Sequence, residues 1–177
     1  VVQIALCILL LNNLQALGFM TGEFPEAGKY LIRSITRQEL TKGLPHLAAI
    51  EFLNSQVSRR NSRVLFVAEA RGYGCEVPYD LNTVYDRAIL LQVIGAEKDA
   101  RQWPELIMRA GYTHILYNPI ELKRYRDTFE AEGWKQGARI EEVMHQLPTT
   151  GALEEIYSSS PTPAGQVKIY RLIPAAP

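Results

Sequence analysis

The stretch Arg63-Val64-Leu65-Phe66-Val67-Ala68, followed directly by Glu69-Ala70-Arg71-Gly72-Tyr73-Gly74-Cys75-Glu76-Val77-Pro78-Tyr79, decides the fold. A short unbroken apolar run between a polar turn (residues 58–62) and a Gly, Tyr and Pro-rich loop predicts a strand buried on both faces, as in parallel sheets. Outward from it, Leu47, Ile50, Leu53 and Val57 recur at three-to-four spacing, so residues 46–57 form an amphipathic helix that Pro45 is suited to start. Downstream, Thr83-Val84-Tyr85 reads as a second short strand and residues 89–94 as a helical turn. Residues 99–110 are helical with Gly111 beyond their end, and Thr113-His114-Ile115-Leu116-Tyr117 is a strand stopped by Asn118-Pro119. Helices follow over 121–132 and 138–146, the latter stopped by Pro148. Strands over 153–157 and 167–172 close the chain. The order α-β-α-β-α-α-β-β implies an α/β fold: one domain with a mixed, partly parallel sheet flanked by helices.

Composition agrees. The chain has 177 residues, 47% of them hydrophobic, with 19 Lys+Arg against 19 Asp+Glu and therefore no net charge. Such a chain is neither a disordered polyelectrolyte nor a disulfide scaffold. Without a basic excess it lacks the surface that bulk nucleic-acid binding requires, so no nucleic-acid partner is expected.

Every one of the charges falls beyond residue 22. Residues 1–22 read VVQIALCILLLNNLQALGFMTG, and 15 of these 22 are apolar. A membrane-spanning helix needs about 20 predominantly apolar residues. The expectation is an N-terminal hydrophobic helix, the end of a transmembrane segment that begins before Val1, in contact with the bilayer. A signal peptide lacking its basic start and a buried core helix are the alternatives. Residues 23–45 read as a linker with one short helix near 29–36, and 46–177 as the folded domain.

The candidate chemistry is concentrated after the first strand. In open α/β sheets ligands bind beyond the carboxyl ends of the strands. Glu69 and Arg71 there either pair or line a charged pocket, and Glu69, Arg71, Gly72, Tyr73 and Tyr79 form a candidate ligand-binding or docking loop. Arg71-Gly72-Tyr73-Gly74 lacks the third glycine and the helix start of a phosphate loop, so Gly72 and Gly74 are expected chiefly to supply unusual backbone angles. Asp80 and Asp86 are too loosely placed to make a carboxylate pair for acid–base work, and a local Asp86–Arg87 charge pair is the simpler expectation. His46, His114 and His145 do not converge. With no metal-ligand spacing and no nucleotide fingerprint, no metal or cofactor is expected. Cys7 and Cys75 are not expected to pair. The tyrosines Tyr73, Tyr79, Tyr85, Tyr112, Tyr117 and Tyr125 are expected to pack at the edge of the core.

Three stretches carry a resemblance. Val64 to Tyr73, with Pro78-Tyr79 and Thr83-Val84-Tyr85-Asp86, is one. Leu106-Ile107-Met108-Arg109-Ala110-Gly111-Tyr112-Thr113-His114-Ile115-Leu116-Tyr117-Asn118 is the second, and Val167-Lys168-Ile169-Tyr170-Arg171-Leu172 the third. Together they resemble the C-terminal soluble domain of bacterial multi-pass membrane glycosyltransferases of the C type, similar to the protein O-mannosyltransferase and aminoarabinose transferase groups. The resemblance covers residues 45–173 and departs from the family at Gly74-Cys75, where a second aromatic is usual. It implies a parent enzyme of the bacterial inner membrane that transfers a sugar from a polyprenyl-phosphate donor, with its catalytic acids in early loops that this chain does not contain. The chain itself then holds no catalytic residue. It would sit on the periplasmic or extracytoplasmic side, partner the membrane part of the same polypeptide, and cap that part or position the acceptor or polyprenyl-phosphate sugar. The alternative without the resemblance is a free-standing soluble α/β domain that binds a nucleotide or small ligand through residues 69–79. A membrane-anchored interaction module is a third.

Overall fold

The computed structural model describes residues 44–129, 135–159 and 166–174. The expected N-terminal hydrophobic helix and the linker helix near 29–36 lie outside these residues. Residues 45–177 form one compact unit. Its helices are α1 (Pro45–Gln56), α2 (Ile89–Ile94), α3 (Trp103–Arg109), α4 (Pro119–Phe129) and α5 (Gly137–Gln146). Its strands are β1 (Val64–Val67), β2 (Tyr79–Asp80), β3 (His114–Tyr117), β4 (Leu153–Ser158) and β5 (Lys168–Leu172). A 3-10 turn, Leu147–Thr150, links α5 to β4.

The sheet has the order β2-β1-β3-β5-β4. The β1–β2 and β1–β3 pairs are parallel, and β3–β5 and β4–β5 antiparallel. The expected mixed, helix-flanked α/β sheet is therefore present. Register explains why it holds. Leu65, Ile115 and Tyr170 lie side by side and all point into one core; Phe66, Leu116 and Ile169 form the next row and point into the other. A one-residue slip would exchange the two faces. Helix α1 lays Ala49, Ile50 and Leu53 on the second core. Helices α2 to α5 cover the first, where Trp103 is fully buried, its indole N–H donating to the Glu97 carbonyl at 3.1 Å.

The structure corrects two readings. Thr83-Val84-Tyr85 is a turn, not a strand: the Asp86 carboxylate accepts from the Thr83 N–H at 3.0 Å and the Thr83 hydroxyl at 2.8 Å, which folds the segment back on itself. The second strand is instead the two residues Tyr79-Asp80. The helix expected over 99–110 begins at Trp103, because the Asp99 side chain accepts from the Arg101 backbone N–H and holds the preceding residues in a turn.

Candidate functional site

Strands β1 and β3 are neighbours and parallel, so their carboxyl ends deliver Glu69 and Asn118 to the same edge of the sheet. Between β1 and Glu69 stands Ala68 at φ 56, the only non-glycine with positive φ among the described residues. The left-handed conformation costs an L-residue about 1–2 kcal/mol, and such strain collects at sites where a side chain must be aimed. Here the chain bends, and the next residue, Glu69, is only 1% exposed.

That carboxylate is closed in by donors. Arg71 gives it Nε at 2.7 Å and Nη2 at 2.8 Å, plus its backbone N–H at 3.0 Å. Asn118 gives the side-chain amide at 2.8 Å. Burial on its own would raise the Glu69 pKa, but the hydrogen bonds and charge of Arg71, with Asn118 behind them, outweigh it and hold the group below the usual carboxylate range. The Asn118 carbonyl oxygen meanwhile accepts from the Glu121 N–H at 3.1 Å, capping α4, with Pro119 in the helix's first position. Glu121, on the first turn of α4, lies 3.6 Å from Arg71 and 2.6 Å from Arg124. Buried Tyr125 packs alongside, its hydroxyl pushed up to about 12 by burial and by the charges of Glu121 and Glu69.

The network is graded from inside to outside. The carboxylates are interior, with side chains 1% and 12% exposed, whereas Arg71 and Arg124 are 31% and 55% exposed. The rim that meets solvent is therefore guanidinium. Chemically, such an edge holds Glu69 ionised and hydrogen-bonded, with the Arg71 guanidinium that neutralises it turned toward solvent.

The five candidate residues do not form one cluster. Glu69 and Arg71 meet, as their spacing allows. Tyr79 pairs in register with Val64, at the opposite end of β1 from Glu69, and its ring stacks on Phe66 at 4.9 Å. Gly72 is required for space rather than for its backbone angle, since a Cβ there would lie 2.5 Å from the Tyr79 ring. Gly74 does take a positive φ, 77°. Tyr73 is 86% exposed. Residues 70–78 are a crossover that carries the chain from the end of β1 back to the start of β2. They are clasped to α1 by Asn54, whose amide donates to the Gly74 carbonyl at 2.7 Å and accepts from the Glu76 N–H at 2.8 Å.

Sequence reasoning does not single out Asn118, Glu121 and Arg124 as site residues. The Asn-Pro-x-Glu run at 118–121 carries an N-cap signal that marks the start of α4, but nothing local reports that Asn118 also faces Glu69. The remaining candidates stand apart. Asp80 pairs with Arg63 at 2.6 Å, and Asp86 is engaged in its own turn rather than with Arg87. His114 is a buried sheet residue in β3, and His145 lies in the last turn of α5. Tyr112 and Tyr125 are buried in the core, in line with core packing, but Tyr85, like Tyr73, is 86% exposed. Among the described residues no group of His, Cys, Asp and Glu is arranged to hold a metal ion, and Cys75 is a free thiol; Cys7 lies outside them.

Fold and site thus define an α/β domain with an internally paired polar network at the carboxyl edge of its parallel strands. No family model matches the chain, and neither does any curated protein or solved structure.

Proposed function

We propose that this domain is the non-catalytic C-terminal, extracytoplasmic domain of a bacterial membrane glycosyltransferase that transfers a sugar from a polyprenyl-phosphate donor, and that it caps the membrane part or positions the acceptor. The observation that carries the non-catalytic half of this reading is the closure of Glu69. A carboxylate that already accepts four hydrogen bonds, from Arg71 and Asn118, is tied up as a structural anion and poorly suited to exchange protons with a substrate. Two further features support the rest. The three stretches that resemble the family fall on β1, β3 and β5, which are adjacent strands at the centre of the sheet. The uncharged residues 1–22 have the composition of a membrane segment. No helix among the described residues is long and apolar enough to cross a membrane.

The test is the gene upstream of Val1, together with fractionation of the 177-residue chain expressed in bacteria. A series of hydrophobic segments encoded upstream, and a chain recovered in the membrane fraction, are the expected results. An open reading frame without such segments would sink the proposal. A second reading, a free-standing ligand-binding domain, draws on the guanidinium rim and on the strained Ala68 beside Glu69. It predicts a chain that is functional without any upstream membrane part.

A further inference from the structure

A concave site separate from the Glu69 network opens between the segment after β2, the ends of α2 and α4, and the start of α5. Its volume is about 700 Å³, within the range of small-molecule sites. Two kinds of side chain line it. One is aromatic: Tyr85 and Phe129 meet edge-to-face with ring centres 6.3 Å apart, and Tyr85 is 86% exposed. The other is basic: Arg87, Lys135 and Arg139 line the cleft, with Asp86 the one acid among the described lining residues.

These charges are not equivalent. Asp86 is occupied by the N–H and hydroxyl of Thr83. Arg139 is held by Glu142 at 2.8 Å and lies over the Trp103 ring at 5.1 Å. Arg87 and Lys135 are exposed and have no ion pair among the described residues. The frame behind them is fixed by Gln136, whose side chain accepts from the Ala88 N–H and donates to the Asp86 carbonyl, both at 2.7 Å. The cleft therefore has a preformed floor, an open aromatic face and two cations that no described acid pairs with. Two cations match the charge of a phosphate monoester, which carries about −1.5 to −2 near neutral pH.

We propose that this cleft binds a ring-bearing phosphate monoester, its ring against Tyr85 and Phe129 and its phosphate between Arg87 and Lys135. The cleft would do so whether or not the glycosyltransferase reading holds. Phenyl phosphate titrated into the complete 177-residue chain, followed by isothermal calorimetry, is the direct probe. Saturable binding is expected, weakened about tenfold or more in R87A/K135A and several-fold in Y85A, and unchanged in the exposed control K98A. Inorganic phosphate, phenol and benzoate should each bind about tenfold or more weakly than phenyl phosphate. Thermal melting of each variant establishes that it is folded; the substituted residues are exposed, so melting temperatures should stay at the wild-type value. Absence of saturation up to about 10 mM would overturn the proposal. So would affinity that R87A/K135A leaves intact, or benzoate or inorganic phosphate binding as tightly as phenyl phosphate.

Discussion

Asn118 donates its side-chain amide to Glu69 at 2.8 Å while its carbonyl oxygen caps helix α4. One side chain thus ties the exit of β1 to the exit of β3 and to the start of the following helix. Replacing it removes two different interactions. N118A loses a helix cap, worth about 1 kcal/mol, and strips one donor from a buried carboxylate, which costs about 1–3 kcal/mol. We expect a loss of about 2–4 kcal/mol in urea denaturation. N118D keeps the cap but sets two carboxylates against each other. Its deficit should shrink as the pH is lowered and one of them takes a proton. An N118D deficit that is flat with pH would show that Asn118 acts only as a cap.

Arg71 is the principal partner of an acid that is 1% exposed. Breaking a buried pair from one side leaves an uncompensated charge, which typically costs about 3–5 kcal/mol. Arg71 is partly exposed, so R71A is expected to cost somewhat less, about 2–4 kcal/mol. Neutralising both sides in E69Q/R71M, where the substituted amide oxygen still accepts from Asn118, should recover most of that loss. In the intact parent enzyme R71A should lower stability or transfer rate. Wild-type melting and wild-type rate together would show that the residue supports neither.

The legible parts of this chain are those that local pattern controls. The apolar run of β1, the helical spacing of α1 and the Gly111-to-strand step before β3 each declare themselves in a few residues, and the mixed sheet follows from their order. The Glu69–Arg71 pair is also within reach, because its members are two residues apart. Asn118 is not, since its contact with Glu69 spans 49 positions and exists only because β1 and β3 pair in parallel. Gly72 shows a subtler limit. A glycine in a loop suggests an unusual backbone angle, whereas its reason here is a tyrosine ring that arrives from later in the chain, at Tyr79. Thr83-Val84-Tyr85 departs from its expected strand for the opposite cause: its β-forming residues are overruled by one carboxylate, that of Asp86.

The Gly72–Tyr79 approach is testable by itself. A methyl group placed 2.5 Å from a ring that is stacked on Phe66 has no room unless the ring moves. G72A is expected to cost about 1–3 kcal/mol, as overpacking usually does. In a Tyr79→Leu background, with the ring gone, the same change should cost much less. Equal costs in both backgrounds in a double-mutant cycle would show that the clash is not the cause.

Ala68 presents a backbone case. Its φ of 56 is unfavourable for any L side chain and worst for a β-branched one. A68V should therefore destabilise by more than about 2 kcal/mol. A68G relieves the strain of about 1–2 kcal/mol but gives up a buried methyl worth about 0.8 kcal/mol and loosens the unfolded chain. It should stay within about 1 kcal/mol of wild type. Denaturant midpoints for the two variants suffice, and an A68V as stable as A68G would mean the turn readily leaves the left-handed region.

Acid should destabilise the domain in two stages that begin at different pH. His114 is buried beside Arg171, and burial first, then that positive charge, lowers its pKa. The unfolded chain takes up this proton before the folded one does, so stability falls as the pH drops below about 6.5, the ordinary histidine value. Glu69 is also depressed, because the hydrogen bonds and charge of Arg71 outweigh the cost of burial. Its contribution is intact above the ordinary glutamate value of about 4.3 and is lost as the pH falls through the lower folded-state value. Asp80, Asp86 and Asp99 are lowered too and add to this second stage, each near the surface. H114Q is therefore expected to flatten the stability profile just below about pH 6.5 and leave the more acidic limb in place, and E69Q to do the reverse. Urea midpoints measured across the series decide it. If H114Q retains the wild-type slope in the upper window, the histidine is not the group being titrated there.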